Sequence, residues 1–386
     1  MISPSQAVSS IGASETVKLS EMVAALKAKG KDVLSLTMGE PDFPTPKNIV
    51  DAAKKALDDG HTHYTSSYGI EPLRQAVAEK CQKDNGLDCK WQDVLITPTK
   101  FAIAAAINAF CERGDEVLIP DPAWVSYNAL VHLSGGKIVS VPAGEDVNFE
   151  MDPDKVNEKV SKKTKIMILN SPSNPTGGVA SLKRLKGLAE IAKDHDLLVI
   201  SDEIYEKILY EGKHYSIGAL PGMADRTITV NGFSKAYAMT GWRVGYLVAR
   251  KPLLDQVMKI QQHYQTCATS FAQYGALEAL KGPQEPIQQM VDEFKKRRDI
   301  VIPGLNKIPG IKCFKPSGAF YAFFKYDREV PSEHFCLRLL EEGGLGLVHG
   351  SAFGSNGEGY IRLSYAASQE KLKEALRRLE EFVKKL

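Results

Sequence analysis

The sequence has little of what marks a specialised class of protein. Basic residues number 49 and acidic residues 47, so a net charge of +2 provides no excess for binding nucleic acid or an anionic membrane. No apolar run approaches the length that spans a bilayer. The first 20 residues lack the apolar core of a signal peptide. We therefore expect a cytoplasmic protein that has neither nucleic acid nor a membrane as a partner.

Cysteine is also scarce, and its spacing is irregular. No CxxC pair occurs among the six cysteines, which are Cys81, Cys89, Cys111, Cys267, Cys313 and Cys336. In a chain of 386 residues this pattern predicts reduced thiols and no disulfide framework. It also gives no ligand spacing of a zinc site, so we expect no metal.

What the sequence does contain is a set of short apolar runs that alternate with helical segments. Five of these runs lie between residues 93 and 232, and they read DVLITP, DEVLIP, TKIMILN, LLVISD and TITVNG. Continuous apolar runs of this length are typical of strands that are covered on both faces. The alternation predicts an α/β fold with a mostly parallel sheet covered by helices.

The pattern changes after residue 300. The segments AFYAFFKY and GYIRLSYA read as strands of a separate sheet, and residues 368–386 form an amphipathic helical pattern. We expect a large domain over residues 46–300. The N-terminal segment, residues 1–45, and the C-terminal residues 301–386 are expected to form a smaller α+β domain beside it.

Polar or aromatic residues follow the five predicted strands, where the open end of an α/β sheet binds ligands. They are Thr97, Pro98, Thr99, Lys100, Trp124, Asn170, Asn174, Asp202, Tyr205, Ser234, Lys235 and Arg243. Each taken alone favours a simpler role: a lysine at a strand end is usually solvated, and an aspartate there is usually a turn or cap residue. Their convergence on one edge of the sheet is what predicts a site.

Several longer segments resemble the signature segments of class I pyridoxal-phosphate aminotransferases, in the same chain order. They read SLTMGEPDFPTP, HYTSSYGIEPLRQAVAEK, NSPSNPTGG, SDEIYEKILYEG, NGFSKAYAMTGWRVGY and GYIRLSYA. The resemblance covers nearly the whole chain and is greatest to the aspartate aminotransferase branch. It implies the type I fold of pyridoxal-phosphate enzymes, with a seven-stranded large-domain sheet, and pyridoxal 5'-phosphate as the cofactor.

The resemblance assigns the chemistry to residues. Lys235 matches the lysine that holds the cofactor aldehyde as a Schiff base and then carries the proton from the substrate α-carbon. Asp202 matches the carboxylate that keeps the pyridine nitrogen protonated. Tyr205 and Asn174 match the residues that hydrogen-bond the cofactor's 3-oxygen, and Trp124 matches the ring that stacks on the cofactor.

For the cofactor phosphate, the resemblance implies Arg243, with further contacts from Thr99, Lys100 and Ser234. The chain departs from the family here, because Pro98 and Thr99 stand where relatives often have two glycines. We expect Pro98 at the first position of a helix, Thr97 as its cap, and the Thr99 hydroxyl and free amides facing the anion. Tyr64 matches a tyrosine that reaches the phosphate of the neighbouring subunit, which implies a homodimer.

For the substrate, the resemblance makes Arg362 the clamp on the α-carboxylate, and without it Arg362 could be an exposed arginine on an edge strand. Asn174, Trp124 and the Gly39 backbone would assist. Lys100 has three possible partners: the distal carboxylate of a dicarboxylic substrate, helped by the Thr16 hydroxyl, or the cofactor phosphate, or solvent.

The expected reaction is transfer of the amino group of L-aspartate to 2-oxoglutarate, giving oxaloacetate and L-glutamate by ping-pong kinetics. Two kinds of enzyme stay open as alternatives. One is an aminotransferase for aromatic amino acids, alanine or prephenate-type substrates; the other is a β-eliminating lyase, because a fold does not fix a reaction. A regulator built on this fold would need a DNA-binding domain, for which 386 residues leave no room.

Overall fold

The computed structural model describes residues 2–386, apart from the side chain of Thr16. The helices are α1 (Gln6–Ser9), α2 (Glu15–Ala28), α3 (Lys47–Asp58), α4 (Glu71–Lys80), α5 (Thr99–Phe110), α6 (Val125–Leu133), α7 (Pro153–Lys159), α8 (Leu182–Asp194), α9 (Lys251–Tyr264), α10 (Ser270–Lys281), α11 (Glu285–Asn306), α12 (Ser332–Glu342) and α13 (Gln369–Val383). The strands are β1 (Leu34–Ser35), β2 (Val94–Ile96), β3 (Glu116–Asp121), β4 (Lys137–Pro142), β5 (Thr164–Asn170), β6 (Leu198–Asp202), β7 (Thr227–Gly232), β8 (Gly245–Val248), β9 (Ile311–Cys313), β10 (Tyr321–Tyr326), β11 (Leu345–Gly346), β12 (Val348–His349) and β13 (Tyr360–Ser364).

The main sheet confirms the predicted α/β class. Across the described residues it has seven strands in the order β2-β8-β7-β6-β5-β3-β4. The pairs along β7, β6, β5, β3 and β4 are parallel, whereas β8 is antiparallel to both of its neighbours. The five predicted strands therefore run in one direction, and their carboxyl ends share one edge of the sheet.

Helices cover both faces of this sheet, which is why its strands are apolar throughout. In β5, Ile166 and Ile168 pack in the same cluster as residues of α5 and α9. The alternate residues Met167 and Leu169 pack against α8 on the opposite face. Burial of each side chain of this size stabilises the fold by about 1.5–3 kcal/mol. The sheet is thus a rigid base for whatever its carboxyl edge carries.

A second, antiparallel sheet has the order β12-β13-β10-β9, and a short parallel pair joins β1 to β11. The predicted C-terminal helix is α13, with Ser368 as its cap and Leu372, Leu379 and Val383 buried. The contact of β1 with β11 brings the two ends of the chain together. The division at residues 45 and 300 stays a prediction, and α11 runs across residue 300.

Two local expectations differ from the structure. The apolar runs did not identify β4 or the antiparallel β8. Thr97 is not a helix cap, since its amide pairs with the Gly245 carbonyl at 3.0 Å and its hydroxyl donates to Gln265 at 3.3 Å. Pro98 therefore stands before α5, which begins at Thr99. Because Thr97 still pairs with the sheet, α5 begins one residue later than expected.

All six cysteines are free thiols, and five of them are buried. Among residues 2–386, no helix combines the length and the apolar character needed to cross a membrane.

Candidate active site

A cavity of about 290 Å³ opens at the carboxyl edge of the main sheet. It brings together most of the predicted site residues, which are Gly39, Thr99, Lys100, Trp124, Asn174, Asp202, Tyr205, Ser234, Lys235, Arg243 and Arg362. Tyr64 is not among them; its side chain is 85% exposed on the surface. The side chain of Thr16 lies outside the described part of the chain, although its neighbour Val17 lines the cavity.

Lys235 follows β7 and is partly buried in the middle of the cavity. Its ammonium donates a hydrogen bond to the Gly39 carbonyl at 2.7 Å. Burial lowers the pKa of the Lys235 amine to about 8, and the positive charge of Arg243 acts in the same direction. The carboxylates of Glu40 and Asp202 oppose the shift. A lysine with this pKa is a nucleophile and a proton acceptor near neutral pH.

We predict that Lys235 of the cofactor-free protein reacts selectively with a small aldehyde. The pKa of its amine is about 8, so about half of the Lys235 amines are neutral and reactive at pH 8. An ordinary lysine with a pKa of about 10.4 is only roughly 0.4% neutral at that pH. Reductive methylation followed by peptide mass mapping should give a midpoint near pH 8 at Lys235. A midpoint equal to that of the exposed lysines would contradict the shift.

Gly39 lies opposite Lys235, on a stretch of backbone that has no room for a side chain. A Cβ at this position would lie 2.3 Å from the Tyr321 hydroxyl oxygen. The glycine lets the backbone pass close to the Tyr321 hydroxyl while its carbonyl accepts the hydrogen bond from Lys235. Glycine is therefore required here for close approach, which is one of the two usual reasons for it.

Asp202 is the last residue of β6 and is 4% exposed. Tyr127 donates a hydrogen bond to its carboxylate at 2.7 Å, and the amide of Ile204 donates another at 3.2 Å. Burial raises the pKa of Asp202 to about 6, and these two hydrogen bonds oppose the increase. The carboxylate is oriented by its donors and has the basicity to hold a proton on a ligand nitrogen.

Tyr205 faces the same space, and its hydroxyl lies 2.6 Å from that of Tyr321. Arg362 lies beyond them, with the rings of Tyr321 and Phe353 at 4.8 and 4.9 Å from its guanidinium. The β-strand that carries Arg362 is interior to its sheet, between β10 and β12, and the residue is 2% exposed. The edge-strand alternative is therefore wrong.

The polar partners of Arg362 are neutral oxygens: its guanidinium donates to the Asn174 amide oxygen at 3.0 Å and to the Thr37 carbonyl. Within the described residues, its buried Nε has no hydrogen-bond partner. A buried cation is costly without a paired anion. Arg362 thus supplies a site for a carboxylate, which a guanidinium can bind through two parallel hydrogen bonds.

Two further cations, Lys100 and Arg243, line the cavity. Lys100, in the first turn of α5, places its ammonium 5.0 Å from the centroid of the Trp124 ring. Burial of this ammonium lowers the pKa of Lys100, and Arg243 lowers it further. Arg243 has a φ of +52°, which is uncommon for a residue with a side chain. Two cations at a helix N-terminus form a site for an anion such as a phosphate.

One detail of this end contradicts the expectation. The Thr99 hydroxyl donates to the Asn231 carbonyl at 3.1 Å, so its proton is directed away from the cavity. The carbonyl at the end of β7 is the nearer acceptor for that hydroxyl. The amides of Thr99 and Lys100, at the N-terminus of α5, stay available because the first turn of a helix has no internal partners for them.

Seven residues that line the cavity were not predicted: Val17, Thr37, Met38, Tyr127, Ile204, Thr240 and Tyr321. Tyr127 lies one turn after Trp124 on α6, a spacing that places both side chains on one face and could have been noticed. Tyr321 lies in an apolar strand and reads as a core residue. Only the packing of β10 beside β13 brings it to Arg362.

The arrangement combines a nucleophilic amine, a basic carboxylate and two separate anion sites.

The family model of class I and II aminotransferases matches residues 31–379. An aspartate aminotransferase of Pyrococcus abyssi is 44% identical over 97% of this chain and 96% of its own. An aromatic-amino-acid aminotransferase of Thermococcus litoralis is 42% identical over 97% and 96%. The solved aspartate aminotransferase of Thermus thermophilus with maleate is 37% identical, with a TM-score of 0.95 over 99% and 100% of the two chains.

Proposed function

The chain belongs to the class I and II aminotransferases, and we propose that it transfers the amino group of L-aspartate to 2-oxoglutarate with pyridoxal phosphate as cofactor. The observation that carries this proposal is one cavity in which the Lys235 amine lies among Arg362, Lys100 and Arg243. An amine flanked by separate cationic groups suits a cofactor phosphate and a substrate with two carboxylates.

The residues of the cavity fit pyridoxal phosphate. Its phosphate suits Arg243 and the N-terminus of α5, its ring suits the face of Trp124, and its pyridine nitrogen suits Asp202. The unpartnered Nε of Arg362 is left for a carboxylate of the substrate. When bound, pyridoxal phosphate supplies an aldehyde for an amine and an electron-withdrawing ring that stabilises negative charge on the substrate α-carbon.

Lys235 has two tasks in the proposed mechanism. Its amine would hold the cofactor aldehyde, and the same amine would take a proton from the substrate α-carbon. The pKa of about 8 keeps a useful fraction of the amine neutral at physiological pH. Because Lys235 lines the cavity, its amine would also be placed to give that proton back to the reacting group.

The other residues hold the reacting groups. Asp202 would accept a hydrogen bond from the protonated ring nitrogen of the cofactor, and Tyr127 and the Ile204 amide keep its carboxylate oriented. Tyr205 and Asn174, which line the same cavity, would donate hydrogen bonds to the ring oxygen of the cofactor. Arg362 binds the α-carboxylate and thereby fixes the α-carbon relative to Lys235. Positioning of this kind contributes up to about 7–11 kcal/mol to a bimolecular reaction.

The preference for aspartate is supported by Lys100 and by the relatives. Several relatives at 40–46% identity are named aspartate aminotransferases. Maleate, the ligand named with the Thermus structure, is a dicarboxylate. A lysine in the first turn of a helix is disfavoured by roughly 0.3–1 kcal/mol, so a facing anion such as a distal carboxylate would offset that cost.

Replacement of Lys100 by alanine should lower kcat/KM for aspartate and glutamate by about ten- to a hundred-fold, the value of a charge-assisted hydrogen bond of roughly 1.5–3 kcal/mol. Turnover of phenylalanine or alanine should change much less. Lys100→Met, which keeps the length of the stem, is the matched control for packing on Trp124. An equal loss of kcat/KM on all substrates would indicate that Lys100 binds the cofactor phosphate. No loss on any substrate would indicate that its ammonium is solvated.

Aromatic amino acids are the second candidate substrates, and one feature of the cavity favours them. Val17 and Met38 line it, and they are 54% and 53% exposed. Apolar groups exposed at the mouth of a cavity suit an apolar side chain. Measurement of kcat/KM for phenylalanine beside aspartate decides between the two substrates. A higher value for phenylalanine would reverse the preference proposed above.

A homodimer and a cytoplasmic location complete the proposal. Tyr64 and Tyr264 are 85% and 79% exposed, and tyrosine is enriched at protein–protein interfaces relative to the rest of the surface. We infer that Tyr64 reaches the phosphate of the neighbouring subunit. Free thiols at all six cysteines support a reducing compartment.

Steady-state kinetics test the mechanism: parallel double-reciprocal lines support ping-pong transfer, whereas intersecting lines contradict it.

A further inference from the structure

The turn that carries Asp202 and Tyr205 also carries two glutamates that point away from the cavity. Asp202 and Tyr205 line the cavity, whereas Glu203 and Glu206 do not. Glu203 is 1% exposed, and the side chain of Glu206 is 8% exposed. Two buried carboxylates directly behind the proposed catalytic groups need partners, because unpaired buried charge is strongly unfavourable.

Their partners come from α4 and the segment that follows it. Lys80 forms an ion pair with Glu206 and donates to the Asn85 amide oxygen at 2.6 Å. Asn85 in turn donates to Glu206 at 2.6 Å and to Glu203 at 3.1 Å. Asn85 therefore bridges both carboxylates.

Glu203 has three further partners. Ser201 and Ser216 donate hydrogen bonds to its carboxylate at 2.9 and 2.6 Å, and His214 Nε2 lies 2.9 Å from it. Together with Lys80, Asn85 and Glu206, these residues form a buried ion network. The network fixes each glutamate from more than one direction.

The chain is shaped locally to build this network. α4 ends at Lys80 and continues as a single π-helical turn, residues Cys81–Asn85, which Gly86 closes with a φ of +69°. The wider turn presents Lys80 and Asn85 to the same pair of carboxylates. Single π-helical turns are rare and occur frequently at functional sites.

The charges of the network balance when His214 is protonated. The Lys80 ammonium and the network's hydrogen bonds outweigh burial and lower the pKa of Glu206 to about 2. The Glu203 carboxylate raises the pKa of His214 despite burial, and the charged groups that face His214 are Glu203, Glu206 and Lys80. Although Glu203, Glu206 and His214 have the spacing of metal ligands, the ammonium and the Asn85 amide already satisfy their carboxylates.

We propose that Lys80, Asn85 and Glu206 are positioning residues for the reaction: they hold the turn of residues 202–206 so that Asp202 and Tyr205 keep the placement that the cofactor ring requires. This inference rests on the proposed function of Asp202 and Tyr205. The turn is short, with the Glu206 amide donating to the Glu203 carbonyl at 2.9 Å. A shift of Glu206 therefore moves the adjacent Tyr205.

Lys80→Met, Glu206→Met and the double variant separate positioning from stability. Each single variant leaves a buried charge unpaired and should lower Tm, whereas the double variant removes both charges and should recover Tm to within about 4 °C of the wild type. Its kcat should nevertheless stay about ten- to a hundred-fold low, the usual cost of a displaced catalytic group. Its Kd for pyridoxal phosphate, from quenching of tryptophan fluorescence in the cofactor-free protein, should rise.

Glu79→Met with Lys281→Met is the matched control, because Glu79 and Lys281 form an ion pair on the neighbouring surface, where their side chains are 64% and 52% exposed. It should leave kcat, Kd and Tm unchanged. A double variant of Lys80 and Glu206 with wild-type kcat and Kd would overturn the positioning role and leave the network a purely structural feature. Asp202→Asn distinguishes this failure from that of the proposed function, since it should lose turnover even if the positioning role is wrong.

Discussion

Replacement of Lys235 by alanine is expected to lower turnover by at least about 10²–10⁴-fold, the usual contribution of a general acid or base. The variant loses both the amine that holds the cofactor aldehyde and the amine that moves the proton. The fold should survive, because Lys235 is partly accessible and, among the described residues, its ammonium bonds to the Gly39 carbonyl and to no buried charge. Steady-state rates with aspartate and 2-oxoglutarate measure the loss.

Borohydride reduction and peptide mass mapping give an independent readout for the same variant. The wild-type protein should carry the reduced cofactor on Lys235, and the Lys235→Ala protein should carry none. Lys100→Ala is the matched control, because it removes another lysine of the same cavity and should keep the adduct. An adduct on any lysine other than Lys235 would overturn the assignment.

Asp202→Asn is expected to have the second-largest effect, a loss of about 10²–10³-fold in kcat, as for removal of one electrostatic stabiliser of a transition state. The amide keeps the shape of the carboxylate but has neither its charge nor its basicity. The ring nitrogen then loses its proton more readily, and negative charge on the substrate α-carbon is less well stabilised. The variant should still bind pyridoxal phosphate through Arg243 and the N-terminus of α5.

Tyr127→Phe is the control for Asp202. It removes the hydrogen bond of 2.7 Å to the carboxylate but keeps the charge. Because the acceptor is a carboxylate, this hydrogen bond is worth roughly 1.5–3 kcal/mol, and its loss should lower kcat by at most about ten- to a hundred-fold. Near wild-type turnover in Asp202→Asn would contradict the role of this carboxylate, whatever the result for Tyr127→Phe.

The sequence made the class of fold predictable because the buried strands are short, apolar and separated by helices. β6 is buried throughout, and in β5 the run from Ile166 to Leu169 is buried. The antiparallel β8 was not predicted, because a short apolar run does not show in which direction, or beside which strands, it will pair. Its placement between β2 and β7 depends on hydrogen bonds between strands that are distant in the chain.

The site was predictable where a residue directly follows a strand. Asp202 lies at the end of β6 and Lys235 shortly after the end of β7, so the parallel sheet brings the two residues to the same edge. Tyr321 could not be found in this way, because it becomes part of the site only when a different sheet packs across the cavity. Its hydroxyl approaches Tyr205, which is 116 residues away in the chain.

The buried ion network was the least predictable feature. Lys80 and Glu206 are 126 residues apart, and each reads as a solvated residue of an amphipathic segment. Only the π-helical turn after α4 directs Lys80 and Asn85 to the back of the turn that follows β6. A charge at a helix end does not reveal whether its partner is water or a buried carboxylate.

The most direct test of the central claim is a half-reaction with a single amino acid. Protein loaded with pyridoxal phosphate is mixed with L-aspartate, without any 2-oxo acid, and the products are quantified. An aminotransferase for aspartate should form one oxaloacetate per active site, stop, and resume only when 2-oxoglutarate is added. Continuous release of ammonium with a 2-oxo acid or fumarate would identify a lyase, and the absence of oxaloacetate would contradict aspartate as the amino donor.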